Sequence, residues 1–496
     1  LGLLKNRIKW ISLLVYPFFI LYPYVFISAQ TSDFKKAYQA TLNLDYKKST
    51  AFLNNLPTDN VLFGELYIAN LNEVLELIFS ENQDRYNQLI DNEAIRIQAI
   101  EESKLTSPYK AFIAAEIKLQ WAFVKLKFGN TVRGVWSLRR AYKIIEDNIA
   151  TYPEFTLNYK TMGLLQVVFG AVPNNQQWVL NILGLEGNVQ NGLKQLQLLS
   201  ETDTPFQVES LLLSAMIQSY LLERHSDGLQ TLNKINSSRK TLAEVYISSL
   251  ILMKAHQSKE ARHLLALTID QNKELAPPLF NYLLAESLFQ GAEYKKAKVY
   301  YLEFLSHFDG KNQLRDSKMK VAICEYHLGN IIAFESYWQQ AKRTEGATSE
   351  ADKTAENLLD SDEYPNFSLL KIRYAIDGGY YSIAREAISQ LNTKQLKPGE
   401  LFELEYRKAR LAHLTGDLEK ALTGYYIVTS SSDSFSKTYF IPNSYLQTGY
   451  LQLEKGDTAK AKISFTQVLN FDDHAYKSSL DSKTKIALSA ISGSGD

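Results

Sequence analysis

The chain has 496 residues with 54 basic and 54 acidic side chains, so its formal net charge is zero and it carries no overall electrostatic footprint for nucleic acid. Hydrophobic residues at 45%, aromatics at 12% and charged residues at 22% exclude a disordered or collagen-like chain and supply ample core. Gly at 23 and Pro at 12 are both scarce, which favours long helices over many-turned β structure.

At the N-terminus, Lys5, Arg7 and Lys9 precede an apolar run from Trp10 to Ile27, followed by Ser28, Ala29 and Gln30. This order of basic, apolar and small residues is that of a secretory signal, and predicts export to the periplasm or cell envelope with cleavage after Ala29. An uncleaved membrane anchor is the alternative, because the 18-residue apolar run falls within the roughly 17 to 25 residues of a span. Cys324 is the only cysteine, so no intrachain disulfide forms and stability rests on packing.

Beyond the signal, a small residue recurs with another small residue twelve positions later and a large apolar residue four beyond that. Ala37, Ser49 and Leu53 are the first copy; Ala122, Gly134 and Leu138 the next; then Ser249, Ala261 and Leu265, and Ala285, Ala297 and Tyr301. Ala409, Ala421 and Tyr425, then Gly449, Ala461 and Phe465, continue the series, with weaker copies at Gly228, Ala384 and Ala322, where Phe334 replaces the second small residue. From Gly228 to Ala261, Ala297 and Phe334 the steps are 33, 36 and 37 residues, and from Ala384 to Ala421 and Ala461 they are 37 and 40, the register of a helix-turn-helix repeat. Small residues are needed where two helices of a hairpin cross closely, and the large one fills the gap to the next hairpin. A Gly near five residues before the second small position, as at Gly129, Gly291, Gly329, Gly379, Gly416 and Gly456, suits a turn that requires positive φ.

The segments AESLFQGAEYKKAKVYYLEFL at 285 to 305, ARLAHLTGDLEKALTGYY at 409 to 426 and GYLQLEKGDTAKAKISF at 449 to 465 resemble tetratricopeptide repeats. The expected fold is therefore all-α, a right-handed α-α superhelical solenoid of such hairpins. One array is expected over 30–344, a second over 367–485, and a flexible tail over 486–496. Between the arrays, residues 345–366 hold seven acids against Lys353 and then Pro365, and read as an acidic linker or helix.

An apolar segment at 160–200 is atypical. MGLLQVVFGAVPNNQQWVLNILGLEGNVQNGLKQLQLL from Met162 resembles the corresponding stretch of the eukaryotic Iml-type inclusion-clearance and outer-membrane tetratricopeptide family, over about residues 115–205. That resemblance implies a non-enzymatic role in membrane-associated or lipid-linked processes. From the residues alone, 162–183 reads as a pair of core helices, with a membrane-touching hairpin as the alternative.

No catalytic or cofactor signature is present. The seven histidines, His256 and His263 among them, lack metal-ligand spacing, and no phosphate-cradling loop, dinucleotide fingerprint or nucleophile elbow occurs. Cys324 sits within the first helix of a repeat and reads as an inert buried thiol. The expectation is a non-enzyme with no cofactor and no metal.

Tetratricopeptide arrays present the first helix of each pair along a concave face. Carrying that over places Tyr246, Tyr282, Glu286, Tyr326, Tyr406, Arg410, His413 and Tyr450 in a candidate groove for a protein or peptide partner. The tyrosines suit a groove or equally a packing role between hairpins. No nucleic acid partner is expected. The other functional reading is a tether or carrier for an apolar ligand or membrane, using residues 162–183 and including peripheral membrane contact.

Overall fold

The computed structural model describes residues 32–492 apart from 56–65, 104–106, 173, 203–206, 236–239, 346–348, 362, 432–434, 436 and 473. The expected signal lies outside the described residues. Every regular element among the described residues is a helix, and the chain is an all-α solenoid of stacked hairpins.

Each hairpin crosses where the sequence places its small residues. A Cβ on Gly134 would meet Leu126 Cγ at 2.8 Å, one on Gly424 would meet Ala409 Cβ at 2.7 Å, and Ala37, Ser49, Ala122, Ala261, Ala285, Ala297, Ala421 and Ala461 are all fully buried. The turns follow the same register. Nine residues with positive φ each stand five before the second small position: Leu44, Gly129, Glu223, His256, Ala292, Gly329, Gly379, Gly416 and Gly456. Gly291 departs from the expectation. It lies six before Ala297, its φ is −80°, and Ala292 takes the left-handed conformation instead. Gly291 is needed for another reason, since a Cβ there would touch the Tyr380 ring at 3.1 Å.

The segment from 160 to 200 is built around close glycine approaches. Helices Asn158–Gly170 and Val189–Glu201 pair, and a Cβ on Gly192 would lie 2.4 Å from the Gly163 carbonyl. Helix Asn158–Gly170 buries Met162, Leu164, Leu165, Val167, Val168 and Phe169, so its apolar run is core. Lys160 is buried in the same helix, its ammonium 2.7 Å from Glu116 and 3.5 Å from Glu209, and the Tyr38 hydroxyl donates to Glu209. That bond draws the first hairpin, Ser32–Leu42 with Tyr46–Leu53, against the helix Gln207–Tyr220.

The acidic segment is a structural helix, Glu350–Leu359, rather than a linker. The Ser349 side chain caps it, and Asp352 is fully buried. The Asp352 carboxylate accepts from the backbone N–H of Gln313 at 2.5 Å and of Asp316 at 3.0 Å, satisfying orphan donors at the start of helix Leu314–His327. At the other end, the tail expected over 486–496 is helical as far as it is described, within Lys477–Ser492, and Ile486 and Ala487 are buried.

After this acidic helix the chain doubles back. Helix Phe367–Asp377 lies on the first helices of the preceding hairpins, with Tyr374 against Phe289 at 4.9 Å between ring centroids and Phe367 against Tyr326 at 4.1 Å. Its turn seats on another turn: the Ser258 N–H donates to the Gly378 carbonyl at 3.2 Å, and His256 Nδ1 lies 2.8 Å from the Asp377 carbonyl. One core runs from Phe34 through Leu359 and takes in Phe367, Leu370 and Tyr374, whereas the later hairpins hold smaller cores of their own.

Two substitutions separate backbone strain from steric overlap. Gly416 has φ +83° with open space around its missing Cβ, so Gly416→Val is expected to cost about 2 kcal/mol through the backbone alone. Gly192→Ala drives a methyl into the Gly163 carbonyl and is expected to cost about 1 to 3 kcal/mol despite being the smaller change. Urea unfolding of both variants measures these costs.

Candidate functional site

The doubling back turns the expected open groove into an inner cleft of about 380 Å³ between the two arrays, with Tyr476, Ser479, Leu480 and Lys483 of the C-terminal region along one side. Its second-array wall comes from helices Phe367–Asp377, Pro398–Leu414 and Phe440–Glu454. Arg407 and Arg410 stand three apart on Pro398–Leu414 and so share a face, and both line the cleft with Arg373.

The structure divides the sequence-predicted residues. Tyr406 and Arg410 line the cleft, and His413 is held one turn further on by a 3.1 Å hydrogen bond between its Nδ1 and the Tyr425 hydroxyl. Tyr246 and Tyr282 do not reach it. Tyr246 is buried against Phe79 and Phe280, and the Tyr282 hydroxyl donates to Asp316 at 2.9 Å inside the core. These two correct the expectation of a continuous tyrosine groove: N-terminal helices and the second array cover the positions that an open solenoid would expose. Glu286 accepts from the Lys320 ammonium at 2.6 Å and from the Tyr301 hydroxyl. Tyr326 is 40% exposed in an aromatic cluster with Phe334 and Phe367, and Tyr450 packs its ring edge-on to Phe465. Tyr406 is only 2% exposed, with Asn443 bonded to its hydroxyl, so it shapes the wall more than it presents a surface.

Sequence reasoning missed Arg373, Arg407, Tyr439, Tyr476, Lys483 and Glu223. The Arg407/Arg410 spacing was a usable signal; the others meet only through the reversal of the chain.

Charge is unevenly distributed within the cleft. Lys320 is matched by Asp316 at 2.8 Å and by Glu286, while Lys254 and Lys483 share Glu223 at 3.2 and 2.6 Å. The arginines have less. Arg407 holds Glu403 at 2.6 Å and donates to the Tyr439 hydroxyl at 2.9 Å; Arg373 has Asp377 only at 3.8 Å and the Tyr476 hydroxyl at 3.2 Å; Arg410 donates to Gln447 at 2.8 Å. Guanidiniums with so few carboxylates, Arg407 buried and Arg373 and Arg410 half-buried, favour an incoming anion, which they can grip through two parallel N–H bonds.

The neighbouring histidines add no charge at neutral pH. Burial foremost, and then Arg410, pushes His413 down to about 3 and His256 to about 4. The Cys324 thiol is raised, first by burial and then by Glu325, so it is not a thiolate at neutral pH. Among the described residues no group of three His, Cys, Asp or Glu is placed to hold a metal ion. His256 meets His225 edge to face at 5.7 Å.

No protein-family model matches the chain, and no curated protein matches it. Solved structures of IFIT1 overlap it weakly. The human IFIT1 dimer with PPP-AAAA is 11% identical over 93% of this chain and 94% of that one, with a TM-score of 0.36. A monomeric IFIT1 mutant with Gppp-AAAA is 10% identical over 95% and 94%, also at 0.36. Overlap at this level carries no argument about ligand, and the solenoid assignment rests on the hairpin geometry described above.

Glu223 and Tyr406 give checkable consequences. Burial alone raises the Glu223 carboxyl, but Lys254, Lys483 and His225 together outweigh it and hold it well below the usual carboxylate range. Its stabilisation is therefore complete above the unfolded carboxylate pKa and lost as pH falls through the depressed folded value. Glu223→Gln is expected to cost about 3 kcal/mol at pH 7, with the gap to the parent chain narrowing in urea unfolding below about pH 4. Tyr406→Ala is expected to cost about 3 to 5 kcal/mol by opening a cavity, and calorimetry reads it as a lowered thermal midpoint.

Proposed function

We propose that this chain is a non-enzymatic helical-repeat scaffold that, after export and cleavage near Ala29, holds an acidic segment of a protein or peptide partner in the cell envelope. The observation that supports the reading is the inner cleft, where Arg373, Arg407 and Arg410 converge with fewer carboxylates than guanidiniums around them. Tyrosine hydroxyls at Tyr439 and Tyr476 already orient two of the guanidiniums, which lowers the cost of ordering them around a ligand. Because the charge comes from arginine, binding holds steady from pH 5 to pH 8. The non-enzymatic role implied by the Iml-type resemblance of residues 115–205 agrees with this reading.

A membrane-tethering role is the second reading. Helix Asn174–Leu183 leaves Trp178 42% and Ile182 74% exposed, one turn apart on one face, which suits peripheral contact with a lipid surface. No described helix is long and apolar enough to cross a membrane.

Cross-linking of the tagged chain in its own envelope tests the choice. A defined protein partner captured by the parent chain and lost in Arg373→Gln/Arg410→Gln is the expected result. Recovery of lipid with no protein, abolished by Trp178→Ser/Ile182→Ser, contradicts the scaffold reading and assigns the tether.

A further inference from the structure

The first array carries a second groove, which shares no lining residue with the inner cleft. Helices Asn92–Glu102, Pro108–Lys127 and Thr131–Thr151 enclose about 830 Å³ there. Its floor holds two buried lysines against one carboxylate. Glu93 pairs with the Lys125 ammonium and lies 3.7 Å from that of Lys118, while Ser137 donates to it at 3.2 Å. A single Glu93 therefore serves two ammoniums that burial has stripped of water.

The rim adds more positive charge. Arg133, Trp136 and Arg140 are exposed and follow one face of helix Thr131–Thr151 at spacings of three and four residues. Neither Arg133 nor Arg140 makes an ion pair among the described residues. Between them along the helix the Trp136 indole is 49% exposed, with the Arg139 guanidinium 5.7 Å from its ring centroid. Apolar area with a cation on either side is costly to leave facing water and well suited to a ligand that combines negative charge with an apolar side chain.

Spacing narrows the ligand. Seven residues of α-helix rise about 10.5 Å from Arg133 to Arg140. In an extended polyproline II chain, side chains three residues apart share an edge and lie about 9.3 Å apart, a difference that arginine side chains absorb. Two other classes of ligand fit less well. A nucleic-acid backbone carries a charge at every nucleotide, where this face offers two exposed guanidiniums around one indole, and a concave surface does not lie against the plane of a bilayer. We propose that the Arg133–Trp136–Arg140 face docks an extended acidic peptide segment of a second protein, its carboxylates three residues apart gripped by the two arginines and the residues between them seated on Trp136.

The test uses the full chain and a fluorescently labelled peptide, acetyl-Pro-Glu-Pro-Pro-Glu-Pro-amide, followed by anisotropy. Binding is expected to weaken about tenfold or more in Arg133→Gln/Arg140→Gln, a loss of about 1.4 kcal/mol or more, with no shift in thermal midpoint because both side chains are exposed. Trp136→Ala is expected to weaken it as well, and a peptide with adjacent glutamates is expected to bind less tightly. The measurement is repeated in an Arg373→Gln/Arg410→Gln background, which removes the contribution of the inner cleft, and the loss from Arg133→Gln/Arg140→Gln is expected to persist there. Absence of binding at millimolar peptide in that background overturns the proposal, as does equal binding there with and without Arg133→Gln/Arg140→Gln. Tighter binding of a single-stranded oligonucleotide or of phosphatidylglycerol vesicles, abolished by the same double variant, also overturns it and makes the face a polyanion or lipid site.

Discussion

The contact of one inter-helix turn with another, Asp377–Tyr380 on His256–Ser258, governs the shape of this molecule. A solenoid built only from nearest-neighbour hairpins would wind on as an open superhelix with its first helices lining a continuous groove. Here the acidic helix Glu350–Leu359 redirects the chain, and Gly379 lets the two turns meet. A Cβ at that position would stand 1.8 Å from the His256 carbonyl, so no side chain larger than hydrogen is accommodated there. The Tyr380 hydroxyl extends the contact to the next repeat by donating to the Ser287 carbonyl at 3.1 Å. Once the turns are seated, Phe367 and Tyr374 fill what would have been solvent, and the groove contracts to a cleft walled by arginine.

Charge follows from the same closure. A net charge of zero over the chain says nothing about a cleft that gathers six basic residues against four acidic ones. Sequestering them costs desolvation energy that the pairs with Glu223, Asp316 and Glu286 offset for the lysines and that the arginines meet only in part. Excess buried charge of one sign destabilises a fold unless something accommodates it, and sites of this kind are commonly functional. The outer groove repeats the logic at lower cost, with its unpaired arginines in solvent and only the lysine floor buried.

Much of the fold was legible in the sequence because hairpin crossing is a local constraint. The spacing of twelve between Ala409 and Ala421, or Ala285 and Ala297, is the distance along the chain at which two antiparallel helices touch, and the left-handed turn residue keeps a fixed distance of five from the second of them. Leu44, Glu223, His256 and Ala292 accept that conformation without being glycine, so the glycine pattern marks only part of the series and Gly291 does not hold the turn position. Composition misled where tertiary contacts decided. The acids over 345–366 leave a linker and an acidic helix equally open, and Asp352 decides for the helix as a buried cap, while the polar end of the chain folds inward with Ile486 and Ala487.

Less of the site was legible. Tyr406 and Arg410 line the cleft because their helix forms its wall, with His413 one turn beyond it, whereas Tyr246 and Tyr282 are core because the rule that places them in a groove holds only for an open array. Arg373, Tyr476 and Lys483 join the site from segments whose relation depends on the reversal after residue 345, and no local pattern encodes that.

A double-mutant cycle on Glu223 and Lys483 tests the closure most directly, since these residues are 260 positions apart and meet only if the C-terminal helix returns to the first array. Urea unfolding of Glu223→Gln, Lys483→Met and the pair is predicted to give a coupling energy of about 1 to 3 kcal/mol. Additivity within about 0.5 kcal/mol would mean that the two residues do not touch, that the solenoid is open, and that the inner cleft does not exist as described.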